Sequence, residues 1–288
     1  MNRKSLVEGS SIASSWSEVI DRKWSVEGRR SQVVRVKVRE RTLLVSFCEG
    51  RLFAERTGIA PVEVVGLHGW ARTREDLAGP LAGLNALAFD LPGFGASPEP
   101  PEAFDSMAYA ALIAEAMAAL DRPQVLLGHS FGGRLAVRLA ASRPELVSGV
   151  VLTGVPLLRR TSGISTAWRF RAARWGHRHG LVSAARMDKL RYQYGSQDYR
   201  RASEVMRATL VRVVNESYEQ DLRRIMCPVE LVWGSDDTAA PLEVARLACG
   251  LLHDARLEVI QNGGHMTPLS APDALGESVR RLLRVSSR

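Results

Sequence analysis

Three short stretches hold the residue types that turn an alcohol into a nucleophile. Gly128-His129-Ser130-Phe131-Gly132 sets a serine between glycines, Gly234-Ser235-Asp236-Asp237 carries two carboxylates, and Gly264-His265 carries an imidazole. A serine hydroxyl attacks poorly by itself, so a neighbouring imidazole must take its proton. A carboxylate on the far ring nitrogen holds that imidazole in one tautomer and stabilises its cation. The chain order Ser, Asp, His is one of the orders in which such triads occur. The chemistry these residues could do is attack on an acyl carbon, followed by release to water.

They can do it only if the fold brings them together. The apolar run Val125 to Leu127, the tight turn around Ser130 and the helix-like run Arg134 to Ser142, stopped by Pro144, predict strand, turn and helix. That is the context a nucleophile elbow requires. Gly128 and Gly132 would let strand and helix close on each other without colliding Cβ atoms. A helix starting near Phe131 would aim free N–H groups at Ser130. The same five-residue pattern also occurs as an ordinary glycine-rich turn with a surface serine, so the case depends on the acid and the histidine.

From Val62 the chain alternates. Val62 to Leu67, Ala86 to Phe89, Val125 to Leu127 and Gly149 to Leu152 read as apolar strands, separated by helix-like segments with Leu77 and Leu81, Ala108 to Leu120, and Arg134 to Ser142. Such alternation implies right-handed crossovers and a parallel sheet. After residues 156–226, where polar, Arg-rich helical text replaces the strand signals, the alternation resumes. Val229 to Trp233 and Leu257 to Ile260 read as strands, Leu242 to Leu252 and Leu275 to Val285 as helices. Asp237 and His265 each follow one of these strands. Both would therefore lie at the sheet edge where ligands bind in open parallel sheets, as would Ser130. Earlier, Val34, Val36 and Val38 alternate with charge and predict a half-buried strand, and Leu43 to Phe47 with Arg51 to Arg56 predict a hairpin through Glu49-Gly50. Residues 1–30 read as a polar arm. In it Ser15-Trp16-Ser17-Glu18 has capping-box form, and Trp16, Ile20 and Trp24 share a helix face. That face would dock on the chain's own body or serve as a dimer or lid contact. The domain reading is an arm at 1–30, an α/β body at 31–155 and 227–288, and a helical insertion at 156–226.

With 288 residues, 45% of them apolar and 24% charged, the chain has the composition of a soluble globular protein with a sizeable core. Three cysteines (Cys48, Cys227, Cys249) without metal-type spacing read as reduced thiols. With no signal-peptide core and no membrane-length apolar run, the expectation is a cytoplasmic protein. The sequence sets no oligomeric state.

The motifs His68-Gly69, Asp90-Leu91-Pro92-Gly93-Phe94-Gly95-Ala96-Ser97, Gly128-His129-Ser130-Phe131-Gly132-Gly133, Gly234-Ser235-Asp236-Asp237 with Pro241, and Gly264-His265 occur in this order. In this combination the chain resembles the α/β-hydrolase superfamily, from about residue 43 to 285 and most weakly across 156–226. The resemblance implies a mostly parallel central sheet flanked by helices, with the insertion as a helical lid. It implies Ser130 as nucleophile, His265 as base and Asp237 as orienting acid. Family spacing sets the acid three residues after Gly234 and four before Pro241, which selects Asp237 over its neighbour Asp236. It implies an oxyanion hole from the backbone N–H groups of Trp70 and Phe131. It gives His68 and His129 structural roles and makes Asp90 a turn residue. No cofactor and no metal is implied. Arg134 faces solvent on the simpler reading and reaches a substrate carboxylate on the other.

The expected activity is hydrolysis of an ester, thioester or related acyl compound by an acyl-enzyme route. Two alternatives stay open: a C–C bond hydrolase or cofactor-free lyase with the same triad, and a small-molecule binder without turnover. The insertion holds 15 Lys or Arg against 6 Asp or Glu, a net of +9 in a chain of net +8. Three readings fit that charge: a solvated outer face, an acidic partner or anionic substrate, or nucleic acid or anionic membrane. No nucleic-acid motif supports the last. The aromatic residues Trp168, Phe170, Trp175, Tyr192 and Tyr194 could line a pocket or pack the lid. The expected partner is a small-molecule substrate.

Overall fold

The computed structural model describes residues 43–58, 61–158, 175, 179, 182, 183, 186 and 197–286. The arm expected at 1–30, the strand expected with Val34, Val36 and Val38, and most of the insertion, including Trp168, Phe170, Tyr192 and Tyr194, lie outside them.

Among the described residues, eight strands form one sheet in the order β1-β2-β4-β3-β5-β6-β7-β8. β1 (Leu43–Phe47) and β2 (Leu52–Thr57) make the expected hairpin, and β2 runs antiparallel to β4 (Ala86–Asp90). From there all pairings are parallel, through β3 (Val64–Leu67), β5 (Gln124–His129), β6 (Val147–Thr153), β7 (Val229–Gly234) and β8 (Ala255–Ile260). β3, β5 and β7 are buried along their whole length. A parallel strand covered on both faces requires this, which is why these strands read as unbroken apolar runs.

Successive side chains leave opposite faces of a strand, and the core divides accordingly. Leu126, Val150 and Leu152 point into one apolar layer, which also holds Leu135, Leu139 and Ile113. Those three belong to α1 (Ser106–Met117) and α2 (Phe131–Ser142). Val125, Leu127 and Val151 point into the other layer, with Leu77 and with Leu275, Val279 and Leu282 of the C-terminal helix.

The described residues between β6 and β7 include the helices α3 (Gln197–Arg201), α4 (Glu204–Val213) and α5 (Glu219–Leu222). After β7 come α6 (Leu242–Cys249), α7 (Thr267–Ser270) and α8 (Pro272–Ser286). α6 stops short of the expected Leu252, its backbone capped at Gly250. α1 begins earlier than expected because Asp105 caps it, its side chain accepting from the Ala108 N–H. Trp175 is exposed, its ring 4.5 Å from that of His179. Among the described residues no helix is long and apolar enough to cross a membrane.

Candidate active site

β5 delivers Ser130 to the carboxyl edge of the sheet. Ser130 has φ 50° and ψ −108°, a positive φ for a residue with a Cβ. Such backbone costs on the order of 1–3 kcal/mol and persists only where its surroundings enforce it. Here they do so by close approach. A Cβ on Gly132 would lie 2.1 Å from the Leu67 carbonyl oxygen, and one on Gly128 would lie 2.5 Å from the Cα of Gly133. The Ser130 N–H donates to Thr153 O at 3.0 Å and the Gly132 N–H to His68 O at 3.0 Å. The amide between them, that of Phe131, has no acceptor among the described residues.

In the loop after β3 the Trp70 N–H likewise has no acceptor among the described residues. His68, fully buried, accepts from the Leu91 N–H at Nε2 (2.9 Å). Its proton therefore sits on Nδ1, which donates to Gly69 O at 2.7 Å. The Arg72 N–H reaches the same oxygen at 3.2 Å. A trans peptide sets its C=O and N–H on opposite sides, so holding the Gly69 carbonyl from one side turns the Trp70 N–H to the other. The Trp70 ring packs edge-on against Phe131 (5.2 Å) and Phe94 (5.1 Å).

Asp237 lies in the loop after β7. Its Oδ1 accepts from the N–H groups of Ala239 (2.9 Å) and Ala240 (2.8 Å), and the Trp233 indole pins the loop by donating to Ala240 O at 2.7 Å. Its Oδ2 faces His265 Nδ1 at 2.8 Å. Burial pushes this carboxyl up, but the bonds from His265, Ala240 and Ala239 outweigh it and leave it below its ordinary value. Asp236 instead faces outward, accepting from Ser235 Oγ at 2.7 Å.

His265 arrives in the loop after β8. The Asp236 N–H donates to Gly263 O at 2.8 Å and the Asn262 N–H to Ser235 Oγ at 2.9 Å, which ties this loop to that of the acid. His265 Nε2 lies 3.2 Å from Ser130 Oγ. The imidazole thus bridges hydroxyl and carboxylate, and at 29% side-chain exposure it is open to an incoming molecule, whereas Asp237 at 1% is not. All three side chains singled out in the sequence meet, and the two singled-out amides have no acceptor among the described residues.

Two residues differ from expectation. Arg134 does not face solvent: it is half-buried, its Nη1 donates to Val213 O at 3.0 Å at the end of α4, and its guanidinium lies 5.6 Å from the Tyr218 ring. Asp90 is more than a turn residue. Fully buried, it accepts from the N–H groups of Arg74 (2.9 Å) and Ala96 (2.8 Å) and pairs with the Arg74 guanidinium.

Beside Trp70 opens a cleft of about 330 Å³, lined in part by Phe94, Gly93, Arg201 and Met206. Sequence reasoning missed Phe94 and Met206. Phe94 is the one aromatic residue in the Pro/Gly loop, a usable signal, whereas Met206 on α4 gives none. Among the described residues no cluster of three or more His, Cys, Asp or Glu is set to hold a metal ion.

Residues 64–277 match the model of the alpha/beta hydrolase family. The chain is 30% identical to a pimeloyl-[acyl-carrier protein] methyl ester esterase of Chromobacterium violaceum, over 76% of this chain and 92% of that one. It is 27% identical to a 2-hydroxymuconate semialdehyde hydrolase of Pseudomonas putida, over 68% and 76% of the two chains. In fold it is similar to an esterase of Mycobacterium tuberculosis, with a TM-score of 0.61, 21% identity, and coverage of 85% and 91%.

Proposed function

The chain belongs to the alpha/beta hydrolase family, and from that premise we propose that it is a serine hydrolase of an ester, thioester or related acyl compound. The observation that carries the reading is the His265 ring, 3.2 Å from Ser130 Oγ on one side and 2.8 Å from Asp237 Oδ2 on the other. Nε2 takes the Ser130 proton as Oγ attacks the acyl carbon. Asp237 steadies the imidazolium that forms. The N–H groups of Trp70 and Phe131 receive the oxyanion, each worth roughly 3 kcal/mol in the transition state. His265 then gives its proton to the leaving alcohol or thiol. Water, activated by the same ring, releases the acyl group from Ser130.

In this reading residues 156–226 form a lid. Its support is that α4 lies against the body: the Phe104 N–H donates to Thr209 Oγ1 at 3.1 Å, and buried Met206 sits 4.0 Å from the Tyr109 hydroxyl. The insertion's net charge of +9 and the likeness to an esterase of a carrier-borne acyl group together favour a substrate with negative charge.

A panel of p-nitrophenyl esters, neutral and ω-carboxylated, tests the proposal. Expected is wild-type turnover that Ser130→Ala abolishes, with a lower KM for the carboxylated esters. Full turnover by Ser130→Ala overturns it. The likeness to a 2-hydroxymuconate semialdehyde hydrolase favours a second reading, in which the same residues cleave a C–C bond. Turnover of a vinylogous diketone without ester turnover selects that reading.

A further inference from the structure

His129 precedes the serine, is 1% exposed, and has no part in the proton path described above. Its Nε2 lies 3.0 Å from the backbone carbonyl of His265, and the two rings stand 5.1 Å apart at a 50° tilt. A carbonyl oxygen only accepts, so Nε2 carries the proton. A neutral ring has one proton, which leaves Nδ1 bare, and Nδ1 has no partner among the described residues. Burial, then the nearby His265, pushes the ring's pKa down to about 4, in keeping with a neutral imidazole.

The space for the ring is made by its neighbour in the oxyanion loop. A Cβ on residue 69 would come 2.9 Å from His129 Nδ1 and 3.5 Å from Ser130 Cβ. One imidazole therefore touches both loops that flank the serine: it fills the hollow at Gly69 and bonds the His265 backbone carbonyl. Asp237 restrains the His265 ring from its Nδ1 side, which leaves the backbone of the same residue to be fixed separately.

On the serine-hydrolase reading above, we propose that His129 is a positioning residue: its Nε2–H fixes the His265 backbone so that the catalytic imidazole meets Ser130 Oγ at bonding distance. Misplacement of a catalytic group by about 1 Å can cost about a hundredfold in rate. The bond should therefore act on kcat and leave substrate binding largely alone.

The test compares His129→Gln, whose amide nitrogen reaches about as far as Nε2, with His129→Asn, whose amide falls short, and with His129→Leu. Each is assayed on a p-nitrophenyl ester beside wild type, with Tm measured in parallel. Expected is a kcat for Gln within about threefold of wild type. For Asn and Leu, kcat falls at least about tenfold while KM stays within about twofold. If Leu does not fold, the Gln–Asn pair decides. Equal kcat for Gln and Asn, or losses that appear in KM and Tm instead, overturn the proposal. An inactive wild type would instead strike at the hydrolase reading.

Discussion

Replacing Asp237 by Asn changes one oxygen into an amide NH2, and the structure says which. Oδ1 accepts two backbone N–H bonds, from Ala239 and Ala240 at 2.9 and 2.8 Å, and an amide NH2 there would leave both donors unpaired. The Asn side chain therefore keeps its oxygen at that end and turns its NH2 toward His265 Nδ1, 2.8 Å away in the native protein. An amide NH2 only donates, so Nδ1 must accept and the ring's single proton moves to Nε2. Nε2 then points a hydrogen at Ser130 Oγ and has no lone pair to take its proton. The wrong tautomer in a Ser-His-Asp relay costs about 10⁴ in kcat, or about 5 kcal/mol of transition-state stabilisation. Backbone contacts are kept, so Tm should move little. Asp236→Asn serves as the control, since that carboxylate touches only Ser235 among the described side chains. The assay is initial-rate hydrolysis of a p-nitrophenyl ester, with circular dichroism to confirm folding. A loss of less than about tenfold for Asp237→Asn, or a larger loss for Asp236→Asn, would mean that Asp237 does not set the tautomer of His265.

Further outcomes follow from the same geometry. Gly132→Ala sets a Cβ 2.1 Å from a backbone oxygen that cannot move aside; the variant should lose about 3 kcal/mol or more in urea denaturation, and a native midpoint would be wrong for this turn. Arg138→Met removes the guanidinium that pairs with Asp221 and Glu216 and lies 4.6 Å from the Tyr218 ring, leaving the buried Asp221 and half-buried Glu216 carboxylates without it. A drop of about 2–4 kcal/mol is expected, and an unchanged Tm contradicts it. His68 and His129 both have folded pKa values near 4 against 6.5 ordinarily, so the unfolded chain takes up protons first and stability falls as pH drops from 6.5 toward 4. His129→Gln should remove its share, about 2 kcal/mol of the loss between pH 7.5 and pH 5. Parallel pH dependence of the urea midpoints in variant and wild type speaks against neutral burial.

The meeting of Ser130, Asp237 and His265 was legible because parallel strands send their following loops to one edge, and the strands themselves read as apolar runs. Asp237 was separable from Asp236 only through family spacing; the physical reason, two backbone N–H groups on one carboxylate, needs the turn in space. Arg134 was misread because polarity suggests solvent, whereas its acceptor, Val213 O, comes from a helix distant in sequence. Met206 was invisible for the same reason. β8 reads short in the sequence, from Leu257, because Arg256 interrupts the apolar pattern on a strand that comes last in the sheet among the described residues.

The most direct test of the central claim is labelling of the folded protein with a fluorophosphonate, followed by peptide mass spectrometry. Expected is a single adduct on Ser130, lost in Ser130→Ala and strongly slowed in Asp237→Asn. A folded protein that takes no label, or takes it on another residue, contradicts it.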